Sequence, residues 1–159
     1  MNLYSWTLRA FNYAVDIDVE GYANCFASDG VNIQYEKDPE GYPEHKVRDP
    51  TLRTQCTDSK MKRRKHDDEE SDDDNMNIGK REYRGRKEIE NMVRSNWKGV
   101  KKFKVIDFEF RELSYDQSET IHRVYKYGKD DSMVEIKARN VYTFNEDGKL
   151  IKVEFFNRT

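Results

Sequence analysis

The strongest constraint on the fold is a hydrophilic segment of 44 residues, from Lys37 to Lys80, that interrupts the apolar pattern of the chain. Apolar residues make up 35% of the whole sequence, yet this segment holds only seven of them. The remainder therefore has nearly the composition of an ordinary globular domain. We expect a single domain over residues 1–159, with a disordered hydrophilic insertion at residues 37–80.

Composition excludes several classes of protein. No stretch approaches the roughly 18 apolar residues that a membrane helix needs, and the first residues lack the apolar core of a signal peptide. A net charge of -2 argues against a dedicated nucleic-acid binder, and two cysteines are too few for a disulfide framework. We expect an intracellular protein, cytoplasmic or nuclear, without membrane contact.

Apolar spacing predicts three helices: Leu3–Val15, Val19–Phe26 with Asp18 as its N-cap, and Lys87–Trp97. Period-two alternation predicts strands at Val31–Glu36, Phe103–Leu113, Glu119–Tyr127, Met133–Phe144 and Leu150–Phe156. The order is ααβ, the insertion, then αββββ. Helices that segregate from a run of antiparallel strands indicate an α+β fold.

The alternation also predicts which side chains share a face of the sheet. On the strand Met133–Phe144, Asn140 and Tyr142 fall on the apolar face, while Lys137 and Arg139 fall on the polar one. On the strand Glu119–Tyr127, the apolar residues Ile121, Tyr125 and Tyr127 suggest the inward face. That assignment places His122 outward, as a surface or partner-facing residue.

Three motifs occur in a characteristic order. The first is the helix-to-strand segment Asp18–Val31, the second is Gly85-x-x-x-Ile89 at the start of a helix, and the third is the hairpin Tyr142–Ile151. Together they resemble the nuclear transport factor 2-like superfamily, which includes SnoaL-like cyclases and ketosteroid isomerases. The resemblance implies a cone-shaped curved antiparallel sheet wrapped around three helices in the order ααβαββββ. It also implies a pocket at one end and a homodimer through the sheet face.

The resemblance allows the catalytic positions of the isomerases to be compared. Their carboxylate base aligns with Gln34, which cannot accept a proton at neutral pH, and their oxyanion-binding aspartate aligns with Asn140. Their tyrosine position falls near Ala10 or Phe11. Steroid-type isomerisation is therefore not expected. An enzyme of this kind would need Glu36 or Asp38 as its base and Asn140 as an oxyanion donor.

Two readings of the pocket follow from these residues. The first is a non-catalytic module that binds a small apolar ligand or a protein partner, and the second is a cofactor-independent isomerase, cyclase or dehydratase. Neither reading calls for a cofactor or a metal ion. The side chains expected to line the pocket are Trp6, Tyr13, Gln34, Tyr125 and Tyr142, with Asn140 either in the pocket or in a structural hydrogen bond; Tyr35 is a further aromatic candidate.

The insertion supports a third, weaker hypothesis. Its basic block, Lys62, Arg63, Arg64 and Lys65, is typical of a nuclear import signal or a phosphate-binding patch. Ser71 precedes three aspartates, a context that favours phosphorylation by an acidophilic kinase. These features would fit a nuclear or nucleic-acid-associated factor, although the acidic residues beside the block make nucleic-acid binding unlikely.

Overall fold

A computed structural model describes residues 2–39 and 79–159. The basic block Lys62–Lys65, Ser71 and nearly all of the predicted insertion lie outside the described residues. Within the described part, the element order is ααββαββββ. The α+β class and the three helices predicted from the sequence are confirmed, and one further short strand is present.

Local capping explains where the helices begin and end. Helix α1 spans Leu3–Val15 and follows Asn2, whose side chain accepts a hydrogen bond from the Ser5 N–H at 3.0 Å. Helix α2 spans Val19–Asn24, and its predicted cap Asp18 accepts from the Gly21 N–H at 2.9 Å. Helix α2 is shorter than predicted because Phe26 already belongs to the first strand.

Helix α3 spans Arg86–Asn96, close to the predicted range. Gly99 follows with a φ of 82°, a left-handed conformation that glycine adopts at little cost and that turns the chain into the next strand. Ile89, Met92 and Val93 are buried on one side of the helix, as the sequence spacing indicates.

Six strands form one sheet with the order β2-β1-β6-β5-β4-β3. Neighbouring strands are antiparallel except β1 and β6, which run parallel. The register of β1 against β6 shifts between Phe26 and Val31, so β1 contains an irregularity over residues 27–30. The strand bounds are Phe26–Tyr35 for β1, Lys80–Arg84 for β2, Val100–Ser114 for β3, Gln117–Gly128 for β4, Met133–Phe144 for β5 and Leu150–Asn157 for β6.

The helices cover one side of the curved sheet, which we call the inner face. Phe11 of α1 contacts the ring of Phe108 on β3 at 4.7 Å, and Tyr22 of α2 contacts Phe26 and Trp97 edge-on. Burial of these apolar surfaces is the main stabilising term of such a core. Its fully buried members include Ala10, Phe26, Ile89, Tyr142, Leu150 and Val153.

No helix in residues 2–39 or 79–159 is long and apolar enough to cross a membrane.

Candidate ligand-binding pocket

A cavity of about 380 Å³ lies between the inner face of the sheet and the helices. This volume falls in the range of small-molecule sites. Most of the described residues that line it are apolar, and the rest are polar side chains from α2, α3 and the strands β1, β4 and β5. The apolar lining residues are Ala10, Phe11, Ala14, Val15, Met92, Val93, Trp97, Phe103, Val124, Ile136, Val153 and Phe155; the polar ones are Tyr22, Asn32, Gln34, Asn96, His122, Lys126, Asn140 and Tyr142.

The exposure of the lining residues shows which end of the cavity opens to solvent. Asn32, Tyr142 and Val153 are each 1% exposed and form the floor. Further along the same sheet, Ile136 and Lys126 are partly exposed and lie at the mouth. The cavity is therefore a blind pocket that deepens towards Tyr142.

A chain of hydrogen bonds runs along the sheet wall of the pocket. The Asn140 amide donates to the Tyr142 hydroxyl at 3.0 Å, and the Tyr142 and Thr120 hydroxyls lie 3.4 Å apart. Thr120 Oγ1 lies 3.3 Å from Nδ1 of His122. Oδ1 of Asn140 is buried, and no described residue gives it a hydrogen bond. The chain fixes these side chains without using any charged group.

A second chain of hydrogen bonds crosses the floor from β1 to α2. The Gln34 amide donates to Asn32, and the Asn32 amide donates to the Tyr22 hydroxyl at 3.1 Å. Burial raises the pKa of both Tyr22 and Tyr142, so both phenols stay protonated at neutral pH. The floor therefore offers neutral hydroxyl and carboxamide groups to a bound molecule.

His122 lies in the pocket wall, and the predicted outward orientation is wrong. Its ring packs edge-on against Phe11 at 4.9 Å and is buried. Burial lowers the pKa of His122 to about 4, so the imidazole is neutral at physiological pH. The inward side chains of β4 are Ser118, Thr120, His122, Val124 and Lys126, whereas Ile121 and Tyr125 lie on the opposite, outer face.

Three of the predicted pocket residues, Gln34, Asn140 and Tyr142, come together in the cavity. The others lie elsewhere. Trp6 packs against Phe144, and the ring of Tyr13 lies beside Gly21. On the outer face, Tyr125 contacts Tyr127 and Tyr35 stacks on Phe156.

The two candidate bases do not line the pocket. Glu36 is exposed, and its N–H donates to the carbonyl of Gly79 at 2.9 Å. The Asp38 side chain is 1% exposed and pairs with Arg139 at 3.0 Å and with Arg158. Arg139 lies on the outer face, since its neighbour Asn140 points into the pocket. No described residue that lines the pocket is a carboxylate.

Ion pairs are concentrated on the outer face, where they form two rows across the strands. In the buried row, Glu119 pairs with Arg111 at 2.5 Å and with Arg139 at 3.0 Å, and the row continues to Asp38 and Arg158. In the exposed row, Arg123 pairs with Asp107 at 2.6 Å and with Glu135 at 3.0 Å; these contacts raise the pKa of Arg123 further.

An open cleft of about 550 Å³ also lies beside these rows, and it is lined by Asp107, Glu109, Arg123, Lys137 and Arg158 together with less polar neighbours. Its charged walls are unlike those of a site for an apolar molecule. No group of His, Cys, Asp and Glu side chains in the described ranges could hold a metal ion.

Solved structures of known proteins share this architecture. SalBIII, an epoxide hydrolase/cyclase-like enzyme with a role in pyran ring formation in the polyether salinomycin, aligns over 97% of this chain and 88% of its own, with a TM-score of 0.56 and 13% identity. RV0760c from Mycobacterium tuberculosis, solved in complex with estradiol-17beta-hemisuccinate, aligns over 96% and 91%, with a TM-score of 0.58 and 11% identity.

A hypothetical protein from Catenulispora acidiphila with a ketosteroid isomerase-like fold, solved in complex with trimethylamine, aligns over 95% and 83%, with a TM-score of 0.56 and 6% identity. No protein-family model and no curated protein sequence matches the chain. At such low identity, these similarities concern the fold alone. The chain therefore shares the fold of these cyclase-like and ketosteroid isomerase-like proteins, which is the cone fold that the sequence motifs predicted.

Proposed function

We propose that this protein binds a small, largely apolar molecule in the inner-face pocket, without steroid-isomerase-type catalysis. The observation that carries the proposal is the pocket itself, a blind cavity of about 380 Å³ with apolar walls and a neutral polar floor. Apolar walls favour transfer of a ligand from water, and a few fixed polar groups orient it.

The exclusion of steroid-isomerase-type catalysis rests on where the candidate carboxylate bases lie. The sequence resemblance aligns Gln34 with the isomerase base, and neither Glu36 nor Asp38 is among the described residues that line the pocket. Burial lowers the pKa of His122 to about 4, so its imidazole is neutral at pH 7 and a weaker base than an ordinary histidine. A carbonyl compound bound here would meet hydrogen-bond donors but none of the carboxylates that serve as the base in steroid isomerases.

Two structural neighbours agree with a small-molecule role. SalBIII is described as a cyclase-like enzyme, and RV0760c was solved with a steroid ester. They support binding of small organic molecules as a use of this fold. The alternatives from the sequence, a protein partner and a homodimer through the sheet face, stay predictions.

Titration with N-phenyl-1-naphthylamine, a neutral probe that fluoresces in apolar surroundings, tests the proposal. We expect saturable binding to the native protein and a loss of at least about ten-fold in affinity in Ala14→Trp, because the new indole fills the cavity. Ser95→Trp, on the exposed side of α3, is the matched control and should bind like the native protein.

Equal affinity in native protein and Ala14→Trp, with both variants folded by circular dichroism, would contradict binding in this pocket. The same samples should leave a β,γ-unsaturated ketosteroid unconjugated. Conjugation that is lost in Ala14→Trp but retained in Ser95→Trp would overturn the non-catalytic part of the proposal.

A further inference from the structure

Lys126 is the one charged side chain among the described residues that line the pocket. The other polar lining groups are hydroxyls, carboxamides and the neutral imidazole of His122. The electrostatic environment of the pocket is therefore set by a single positive charge, although the chain as a whole carries a net charge of -2.

The fold holds this charge at the mouth of the pocket. Lys126 is the last inward residue of β4 before Gly128, and it pairs in register with Phe103 of β3 and Val134 of β5. Phe103 and Trp97 also line the cavity, and their rings lie 6.5 Å apart. Lys126 thus lies at the rim of an aromatic and aliphatic opening, partly exposed, with the neutral floor deeper in the pocket.

Arg123 on the same strand and Lys102 on β3 have partners, whereas Lys126 has none within the described ranges. Arg123 binds two carboxylates, and Lys102 lies over the ring of Tyr127 at 5.0 Å. No described residue forms a hydrogen bond or an ion pair with the Lys126 side chain. A partly buried cation next to apolar walls gains most from an anion that arrives with the ligand.

From this placement we propose that the pocket takes an amphipathic monoanion, with its apolar body inside and one carboxylate or sulfonate group beside Lys126. The inference rests on the proposed function and specifies the class of ligand. A single cation at the rim matches one negative charge, and the apolar interior disfavours a second one. Aromatic or aliphatic carboxylic acids fit this description; neutral hydrocarbons and organic cations fit it less well.

Two probes with the same ring system distinguish the contribution of the ligand's negative charge to affinity from that of its apolar body. N-phenyl-1-naphthylamine is neutral, and 8-anilinonaphthalene-1-sulfonate adds one sulfonate to the same ring system. We expect the sulfonate to bind native protein about ten-fold more tightly than the neutral probe at low salt. In Lys126→Met this preference should disappear, with the affinity for the neutral probe retained.

Lys104→Met is the matched control, since Lys104 lies on β3, is exposed and does not line the pocket. It should keep the preference. A sulfonate preference that survives Lys126→Met, or that is lost equally in Lys104→Met, would overturn the inference while the proposed function stands. Failure of both probes to bind native protein would overturn the proposed function as well. Lys126→Gln serves if the Met variant does not fold, with the same expected loss of preference.

Discussion

The two faces of the one sheet differ in how they handle polar side chains. On the inner face, neutral hydrogen bonds link the side chains of Asn140, Tyr142, Thr120 and His122. On the outer face, alternate residues of the same strands form rows of ion pairs. Around the pocket, Lys126 is therefore the one charged side chain among the described lining residues, whereas the outer face carries both rows of ion pairs.

Strand β4 illustrates how closely the two environments are spaced. Glu119 and Arg123 point outward into the ion rows, whereas Thr120 and His122 point inward to the pocket wall. Because side chains alternate along a strand, one residue decides between a neutral and an ionic environment. A neutral interior suits an apolar ligand, and the ion rows hold the strands together behind it.

Breaking the buried row should have the largest effect on stability. Asp38→Asn leaves Arg139 and Arg158 buried beside an uncharged side chain, since both form ion pairs with Asp38. Removal of one partner from a buried ion pair costs about 3 to 5 kcal/mol. We expect a loss of this size in the free energy of unfolding, measured by urea titration at pH 7.

The exposed row supplies the control for that prediction. Asp107→Asn removes a partner of Arg123 that is 66% exposed, and solvent already screens this contact. Its effect should be much smaller than that of Asp38→Asn. Equal destabilisation by the two variants would contradict the distinction between a buried and an exposed row.

On the inner face, His122 should have a smaller effect on the free energy of unfolding, and this effect should depend on pH. Burial lowers the pKa of His122 to about 4 from an ordinary value of 6.5. Between these values the unfolded chain binds a proton that the native protein does not, so stability falls as the pH drops through this window. The full difference corresponds to roughly 3 kcal/mol, reached near pH 4.

Urea unfolding of native protein and His122→Phe at several pH values between 7 and 4 measures this contribution. Phenylalanine keeps an aromatic ring against Phe11 but cannot titrate. The native protein should lose more stability than the variant across this range, because the titrating carboxylates are common to both. Parallel pH profiles would show that His122 is accessible to protons in the native state, contrary to the buried position.

Much of the fold could be predicted from local patterns. Apolar spacing and capping residues located α1, α2 and α3, and alternation located five of the six strands. The missed strand, β2, has the sequence Lys-Arg-Glu-Tyr-Arg, with only one apolar residue. It lies at the edge of the sheet and is largely exposed, so it needs no alternation of apolar side chains. The parallel pairing of β1 and β6 joins distant segments, and no local pattern reports it.

The sequence did contain information that gives the correct inward face of β4. The predicted strands ended at Tyr127 and began again at Met133, and these two residues pair in the structure. In such a hairpin, even-numbered residues lie opposite even-numbered ones. With Asn140 and Tyr142 inward on β5, the inward residues of β4 had to include His122 and Lys126. The outward Ile121 and Tyr125 obscured this because apolar side chains also pack on the outer face.

The candidate bases could not be placed from sequence for a different reason. Asp38 is held by Arg139 and Arg158, more than a hundred residues further along the chain. Only the three-dimensional pairing shows that this carboxylate stabilises the outer face and does not reach the pocket. Asn140, Gln34 and Tyr142 were found because alternation and the resemblance to the cone fold agreed at these positions.

Intermolecular nuclear Overhauser effects between bound N-phenyl-1-naphthylamine and the methyl groups of the protein test the central claim most directly. The account predicts contacts from the probe to Val124, Ile136 and Val153, which line the pocket, and none to Val141 or Ile121 on the outer face. Contacts to Val141 and Ile121 without contacts to the pocket methyl groups would place the ligand on the charged outer face and contradict the account.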